Sequence, residues 1–295
     1  ITCRDWSSDV CSSDLEKELT ASNSGLKHRI IPAQAPVSKS ADYATLPFIV
    51  NEESYARNGF DQKNAIMITE LGIMRGVRLL ALDFYPVSYN PVQNALKVIH
   101  SMDISVEFVN PDFAATEELL AKTASNEFNQ LYQKTIFNWD SSTRQSLVRN
   151  PTKMLILCPP AYVDSMAVYI EWKKQQGFNV ILRTVGSSGQ TANTSAAIIS
   201  YMQSVWSAAT ANDPAPTYLL IVGDHSSTGN NITANTGQTN TGHITDLTYV
   251  RLEGSDYVPE MYFGRFSVSS LTELSRVMRK TIMFEKTAKI GRAHV

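Results

Sequence analysis

Tyr218-Leu-Leu-Ile-Val-Gly-Asp-His225 is the stretch that decides the fold of this chain. Five apolar residues in succession, ended abruptly by Gly223 and Asp224, are typical of a strand that is covered on both faces of a parallel sheet. Open α/β folds keep their ligand sites at the carboxyl ends of such strands. The stretch therefore predicts an α/β domain, and Asp224 is the acid best placed to bind a ligand.

The sequence on both sides of this strand repeats an α/β pattern. Residues 154–158 and 178–185 are apolar runs of strand length, and residues 163–176 and 198–206 place apolar side chains at helical spacing. Strand, helix, strand, helix, strand with short connections predicts a parallel sheet with right-handed crossovers. A capping box from Ser270 to Glu273 predicts a further helix.

The pattern is different between residues 45 and 110. Short apolar or alternating runs are separated there by turn residues such as Gly72 and Gly76, with no helix between them. This predicts a β-rich domain, an antiparallel sandwich or barrel. A short surface helix is expected from Phe113 to about Tyr132.

Both ends of the chain are expected to be artefacts. Residues 9–14 and 290–295 can be encoded by one DNA sequence read in opposite directions, and residues 4–15 resemble a translated sequencing-library adapter. The natural protein is then expected to continue beyond both ends, and a signal peptide would not be visible. The expected organisation is an artefactual segment 1–15, a β domain 16–137, a linker 138–150, an α/β domain 151–289 and an artefactual tail 290–295. The linker is either a plain connection or a processing site at Arg144 or Arg149.

Composition excludes several classes of protein. The formal net charge is −2 and the sequence has no basic stripe, so nucleic acid is not expected as a partner. No apolar run is long enough to cross a bilayer. With the expected artefact removed, Cys158 is the one remaining cysteine, which excludes an internal disulfide framework but not export.

Three acids suggest a structural cation site. Asp224 alone could be a Gly-Asp turn whose carboxylate accepts backbone N–H groups, but Asp256 and Glu260 follow it. Calcium is bound by carboxylate and carbonyl oxygens, and a local cluster of acids is unfavourable without a cation or protons. Residues four apart on a straight strand are about 13 Å apart, so the segment 256–260 must curl. If it is flat, its acids are solvated charges.

Other candidate chemistry is less well supported. His225 and His243 could each act as a general base, but Cys158 is predicted to lie in a buried strand, where cysteine is usually an inert apolar residue. The loop from Gly186 to Gly189 lacks the lysine of a phosphate-binding loop, which disfavours an α/β protein that binds nucleotides. Arg265 is expected to form an ion pair across the sheet edge.

Several segments together resemble the gingipain-type (C25) cysteine peptidases. Residues 169–180, 218–225 and 256–267 are similar to the first subdomain of that family's catalytic domain. Residues 75–98, with Tyr85-Pro-Val-Ser-Tyr-Asn-Pro91 among them, are similar to its propeptide domain. The two parts occur in the family's order and cover nearly all of the chain outside the expected artefacts.

The resemblance implies a caspase-like α/β catalytic domain behind a β-rich prodomain that keeps a zymogen inactive. It implies protein or peptide substrates, prodomain–catalytic domain contact, and export to the bacterial surface or medium, often by type IX secretion. It also implies calcium bound through Asp224, Asp256 and Glu260, with main-chain oxygens near Glu253 and Val258.

The resemblance places the catalytic residues outside this sequence. The family's histidine lies in a Gly-His-Gly context and its cysteine follows a further strand, and neither motif occurs before Lys289. The chain alone is therefore expected to be inactive, and Cys158 and His225 are not the dyad. Two alternatives remain open: a non-catalytic surface or binding protein on the same fold, and a sortase-like family member that serves type IX secretion.

Overall fold

A computed structural model gives the fold and describes residues 21–60, 64–100, 102, 104, 112–139, 151–226, 229–237 and 242–286. The two expected artefactual segments, nearly all of the expected linker and the candidate processing sites Arg144 and Arg149 lie outside these residues. The described chain forms two compact units. The α/β unit comprises residues 70–80 and 112–286, and the β unit comprises residues 21–69 and 81–104.

The first elements of the chain are mostly strands. In order they are β1 (Ala21–Gly25), a 3₁₀ turn (Tyr43–Thr45), helix α1 (Glu52–Ala56), β2 (Ile66–Met74), β3 (Val77–Phe84), β4 (Val87–Asn90) and β5 (Ala95–Ile99). Strands β1, β5 and β4 form an antiparallel sheet in that order. The antiparallel pairing agrees with a β-rich region, while a closed sandwich or barrel stays a prediction.

Strands β2 and β3 pair with each other as a hairpin. The end of the hairpin, residues 70–80, belongs to the α/β unit. Arg75 and Gly76 connect the two strands with φ angles of 49° and 76°, so the connection uses the left-handed region that glycine adopts without strain.

The remaining elements alternate helix and strand. They are α2 (Phe113–Lys122), α3 (Asn126–Thr135), β6 (Lys153–Cys158), a 3₁₀ turn (Pro160–Tyr162), α4 (Val163–Gln175), β7 (Asn179–Thr184), α5 (Ser195–Ser207), β8 (Tyr218–Val222), β9 (Asn235–Thr236), β10 (Ile244–Thr245), a 3₁₀ turn (Leu247–Tyr249), β11 (Tyr262–Phe266) and α6 (Leu271–Lys286). Strands β11, β8, β6 and β7 form a parallel sheet in that order. The predicted α/β fold is confirmed by this sheet.

The sheet is covered on both faces, which explains its continuous apolar strands. Leu155 and Leu157 face one layer of the core with Ile198 and Met202 of α5. Ile156 lies between them in sequence and faces the other layer. That layer contains Met166 of α4 and Leu274 and Met278 of α6. Because successive side chains of a strand point to opposite faces, a strand between two helical layers has no polar position.

The single surface helix expected from Phe113 to about Tyr132 is wrong in two respects. The chain breaks after Lys122, and α3 starts anew with Ser125 as its N-cap, whose hydroxyl accepts the N–H of Phe128 at 3.4 Å. Both helices belong to the α/β unit, where Ala215 donates its N–H to the Lys122 carbonyl at 2.9 Å. Phe128 and Tyr132 are buried. Sequence periodicity alone did not reveal this packing.

None of the described helices combines the length and the apolar character needed to cross a membrane.

We predict that Ile156→Ala strongly destabilises the α/β unit. Ile156 is fully buried in the central strand β6, and truncation leaves a cavity that costs about 2–5 kcal/mol of unfolding free energy. Val168→Ala on the exposed side of α4 is the control, with a change within about 0.5 kcal/mol. Urea denaturation followed by tryptophan fluorescence measures both. Equal effects of the two substitutions would contradict the two-layer core.

Candidate functional site

Asp224 lies at the carboxyl end of β8, as the sequence predicts. Gly223 precedes it with φ 118°, and a β-carbon there would come within 2.8 Å of the Asn230 carbonyl oxygen. The Asp224 carboxylate accepts from Ser226 Oγ at 3.2 Å and lies 3.3 Å from His225 Nδ1. The backbone N–H of His225, together with these two side chains, lowers the pKa of Asp224. Asp224 therefore forms a Gly-Asp turn whose carboxylate accepts hydrogen bonds from neighbouring groups, which is the alternative to a cation ligand.

Glu260 lies at the opposite edge of the same sheet. Strands β8 and β11 are parallel, with Tyr218 beside Tyr262 and Val222 beside Phe266. Glu260 precedes β11 at its amino end, whereas Asp224 follows β8 at its carboxyl end. Five strand residues span about 16 Å, far more than the reach of one calcium ion, whose oxygen ligands lie at roughly 2.3–2.6 Å. The structure therefore does not bring Asp224 together with the other predicted ligands.

The other predicted ligands share one curled segment. Residues 251–261 form bends rather than a strand, and Gly254 adopts φ 64°. The Asp256 carboxylate accepts the N–H of Val258 at 2.7 Å, and the Glu260 carboxylate accepts the N–H of Leu252 at 2.6 Å. The curl that the cation hypothesis required is present.

The end of the β2–β3 hairpin donates main-chain N–H groups to two acids of this segment. We call residues 72–76 the hairpin tip. Asp256 Oδ2 accepts the N–H of Ile73 at 2.9 Å, and Glu253 Oε2 accepts the N–H of Gly76 at 2.6 Å. A β-carbon on Gly72 would overlap the Asp256 carboxyl group. The acids therefore bind main-chain N–H groups of a hairpin as well as those of their own loop.

Glu260 is the most perturbed acid of the group. Its side chain is fully buried, and Oε1 has no hydrogen-bond partner. Burial, together with the smaller effect of the nearby charges of Glu253 and Asp256, raises the pKa of Glu260 to about 8. Burial also raises the pKa of Glu253. The site is one in which a proton or a cation would satisfy a buried carboxylate oxygen.

The fit of this cluster to calcium is incomplete. Over the described ranges, no group of three or more His, Cys, Asp or Glu side chains is arranged to hold a metal ion. Glu260 Oε1 is an orphaned oxygen that suits a cation, but one oxygen each of Glu253 and Glu260 and both of Asp256 accept backbone N–H groups. Val258 contributes its N–H to Asp256. Calcium binding by these residues stays a prediction.

Cys158 lacks the environment of a nucleophile. The side chain is fully buried at the end of β6, and its thiol donates to the Pro159 carbonyl at 3.3 Å. Burial raises the pKa of Cys158 to about 12, which opposes formation of the thiolate. His243 is exposed.

Arg265 forms the ion pair expected at the sheet edge. Its guanidinium contacts both carboxylate oxygens of Asp246, at 2.9 and 2.6 Å, and donates to the carbonyls of Gly223 and Ile232 at 2.8 Å each. This bidentate pair fixes the loop between β8 and β11.

Sequence reasoning missed Arg75, the residue that organises the amino edge of the sheet. It is 1% exposed, although it stands in a two-residue connection between strands, where exposure is the norm. The only sequence signal was its position between Gly72 and Gly76, close to a turn.

Comparison with known proteins places the chain in a family. The family model described as peptidase family C25 matches residues 148–294, and the model described as Propeptide_C25 matches residues 17–147. The chain therefore belongs to peptidase family C25, a family of cysteine peptidases. It carries propeptide sequence followed by part of the peptidase sequence.

Within that family, the chain is similar to the gingipains of Porphyromonas gingivalis. It is 32% identical to Lys-gingipain over 90% of the chain and 15% of that protein, and 25% identical to Gingipain R2 over 87% of the chain and 33% of that protein. A solved complex of the Porphyromonas gingivalis RgpB pro- and mature domains aligns with a TM-score of 0.37 at 24% identity, over 45% of this chain and 29% of the other. The chain thus spans a third or less of the curated relatives named here.

We predict that Glu260 makes the protein less stable as pH rises. A carboxyl with a pKa of about 8 in the folded state and an ordinary value of 4.5 binds its proton more tightly when folded. Its stabilising effect is complete below pH 4.5 and is lost as the pH rises through 8. Glu260→Gln resembles the neutral acid, so its unfolding free energy should change less between pH 4.5 and pH 8 than that of the wild type. At pH 8 the substitution should stabilise the protein by about 1–3 kcal/mol.

Urea denaturation at several pH values in the presence of a chelator measures this effect. Glu171→Gln on the exposed face of α4 is the matched control and should keep the wild-type profile. A Glu260→Gln profile that is as steep as that of the wild type would contradict the assignment.

Proposed function

We propose that this chain is part of the zymogen of a secreted, gingipain-like cysteine endopeptidase. The main support for this proposal is the order of the two matched regions, with the propeptide before the peptidase. The chain covers only part of the relatives named above, so the activity is proposed for the complete protein. Its substrates would be proteins or peptides, and the description of the matched family as a peptidase family supports this class.

Contacts within the α/β unit support a propeptide that packs on the peptidase region. The hairpin tip falls inside the range that the propeptide model matches, and it hydrogen-bonds to Glu253 and Asp256 in the peptidase range. Ser125 of the propeptide range contacts Thr217 through their hydroxyls at 3.1 Å. In the proposed zymogen these contacts hold propeptide and peptidase sequence together.

The proposed mechanism is thiolate attack on the peptide carbonyl, with a histidine as general base and then general acid. The residues that perform it would lie beyond residue 289, in a Gly-His-Gly segment and after a further strand. Cys158 and His225 would take no part, because the Cys158 thiol is buried and donates to a main-chain carbonyl. Export to the cell surface or medium, by type IX secretion, belongs to the same proposal.

We predict that the complete gene encodes a thiol-dependent endopeptidase whose activity survives Cys158→Ala. The processed full-length protein should cleave a casein substrate and lose that activity after treatment with iodoacetamide. Substitution of the cysteine that follows the Gly-His-Gly segment should abolish cleavage, with a fall of more than about 10³-fold. The 295-residue chain alone should show no cleavage.

Two results would overturn the proposal. If the gene encodes no Gly-His-Gly segment followed by a cysteine, a non-catalytic surface or binding protein on this fold is the better description. If the full-length protein instead joins a peptide to an amine nucleophile and hydrolyses little, it is a sortase-like member of the family.

We further propose that the Glu253–Glu260 segment binds calcium as a structural ion. The support is the buried, partnerless Glu260 Oε1 and the two neighbouring acids. Calcium would supply positive charge to oxygens that are otherwise buried together. Asp224 would take no part in this calcium site, because it lies at the other edge of the sheet.

Thermal unfolding of the 295-residue chain with calcium and with chelator tests this proposal. Calcium should raise Tm by about 3 °C or more when it is well above its Kd, and Asp256→Ala should remove the shift. Asp224→Asn is the matched control and should keep it. A shift that disappears with Asp224→Asn and persists with Asp256→Ala would place the ion at the carboxyl edge instead, and no shift would exclude the site.

A further inference from the structure

Arg75 is an arginine at a hairpin turn that is buried instead of exposed. It is 1% exposed and has φ 49°, a left-handed conformation that non-glycine residues adopt rarely. Gly76 follows it with φ 76°, and a β-carbon on Gly76 would overlap Leu119 of α2. The backbone therefore approaches α2 closely and directs the Arg75 side chain into the α/β unit.

The guanidinium of Arg75 donates to four main-chain carbonyls. Nε donates to Thr123 at 2.8 Å. Nη1 donates to Pro216 at 2.8 Å and to Glu260 at 2.6 Å. Nη2 donates to Ala215 at 3.2 Å. All four acceptors are backbone atoms, so the arrangement is set by the ends of α2, β8 and β11 rather than by mobile side chains.

Two aromatic rings complete the surroundings of this group. The guanidinium carbon lies 5.0 Å from the ring centroid of Phe128 and 5.2 Å from that of Trp206, within the range of cation–π contact. The Thr123 hydroxyl also donates to the Arg75 carbonyl at 2.9 Å. The guanidinium therefore donates hydrogen bonds to carbonyls and also makes cation–π contacts with aromatic rings.

The charge of Arg75 is retained in this environment. Burial lowers the pKa of Arg75 to about 10, while the Tyr132 hydroxyl and the acids Glu253 and Glu260 oppose that effect. The side chain is thus a cation at neutral pH. A cavity of about 50 Å³, lined in part by Arg75, Phe128 and Tyr132, adjoins it.

We propose that the amino edge of the parallel sheet is a guanidinium-binding site, formed by the carbonyls of Thr123, Ala215, Pro216 and Glu260 and the rings of Phe128 and Trp206. Arg75 occupies it in cis and anchors the hairpin tip. The site selects a guanidinium over an ammonium ion, because a planar fork of N–H donors reaches several fixed carbonyls at once and an ammonium group does not.

Chemical rescue of the 295-residue protein tests this site. Arg75→Ala removes the cation and leaves a space lined by its acceptors, and such cavities bind small molecules that match their lining. Without additive the variant should unfold at least about 6 °C below the wild type. Methylguanidinium at about 10 mM should recover about 3 °C or more of that loss, and methylammonium at the same concentration should recover none.

Arg78→Ala is the matched control on the same hairpin. Arg78 pairs with Glu70 at 2.8 Å at the protein surface, and exposed ion pairs contribute little to stability. Methylguanidinium should not raise the Tm of Arg78→Ala or of the wild type. An increase of the same size in all three proteins would show a general solvent effect and overturn the proposal.

A second measurement and a second variant cover the case in which Arg75→Ala does not fold at all. The yield of soluble Arg75→Ala protein on refolding should then rise several-fold with methylguanidinium and not with methylammonium. Arg75→Lys keeps the charge but loses the planar fork, so it should fold with a Tm at least about 3 °C below the wild type. An Arg75→Lys variant as stable as the wild type, or an alanine variant that methylguanidinium rescues in neither Tm nor yield, would refute the guanidinium site.

Discussion

The buried guanidinium of Arg75 is the interaction on which the amino edge of the sheet depends. Four main-chain carbonyls, from the end of α2 and from the residues before β8 and β11, converge on one side chain. Carbonyls at such ends have no partner in a helix or a sheet ladder and must find one when buried. Arg75 supplies it, and in doing so it joins a hairpin of the propeptide range to strands of the peptidase range.

Two groups of charged residues lie at opposite edges of the sheet in the α/β unit. At the amino edge, Glu253, Asp256 and Glu260 accept N–H groups of the hairpin tip and of their own loop, beside the positive charge of Arg75. At the carboxyl edge, the Arg265–Asp246 pair fixes the loop that follows Asp224. Ligand sites of parallel sheets commonly lie at the carboxyl edge, whereas the acids at the amino edge accept main-chain N–H groups.

Contacts across the boundary between the two family regions bear on how the proposed zymogen would be activated. The hairpin tip and helices α2 and α3 fall in the propeptide range, yet they lie in the same compact unit as the peptidase strands. Cleavage of the chain between the two regions would leave the main-chain hydrogen bonds, the Arg75 contacts and the buried rings of Phe128 and Tyr132 in place. Release of the propeptide would require their separate disruption, since a cut in the backbone removes none of these contacts.

From the sequence alone, the parallel sheet and its helices could be predicted, because apolar periodicity and short connections are local properties that a strand covered on both faces must show. The similarity of several segments to known peptidases indicated the family. The sequence also predicted that the segment 256–260 must curl if its acids are to share one ion. It could not show that Asp224 lies apart from Glu260, since the direction in which β11 pairs with β8 decides that. Nor could it show that α2 and α3 are separate helices or that Arg75 is buried. The burial of Arg75 depends on carbonyls and rings more than forty residues from it in the chain, which only the tertiary structure brings together.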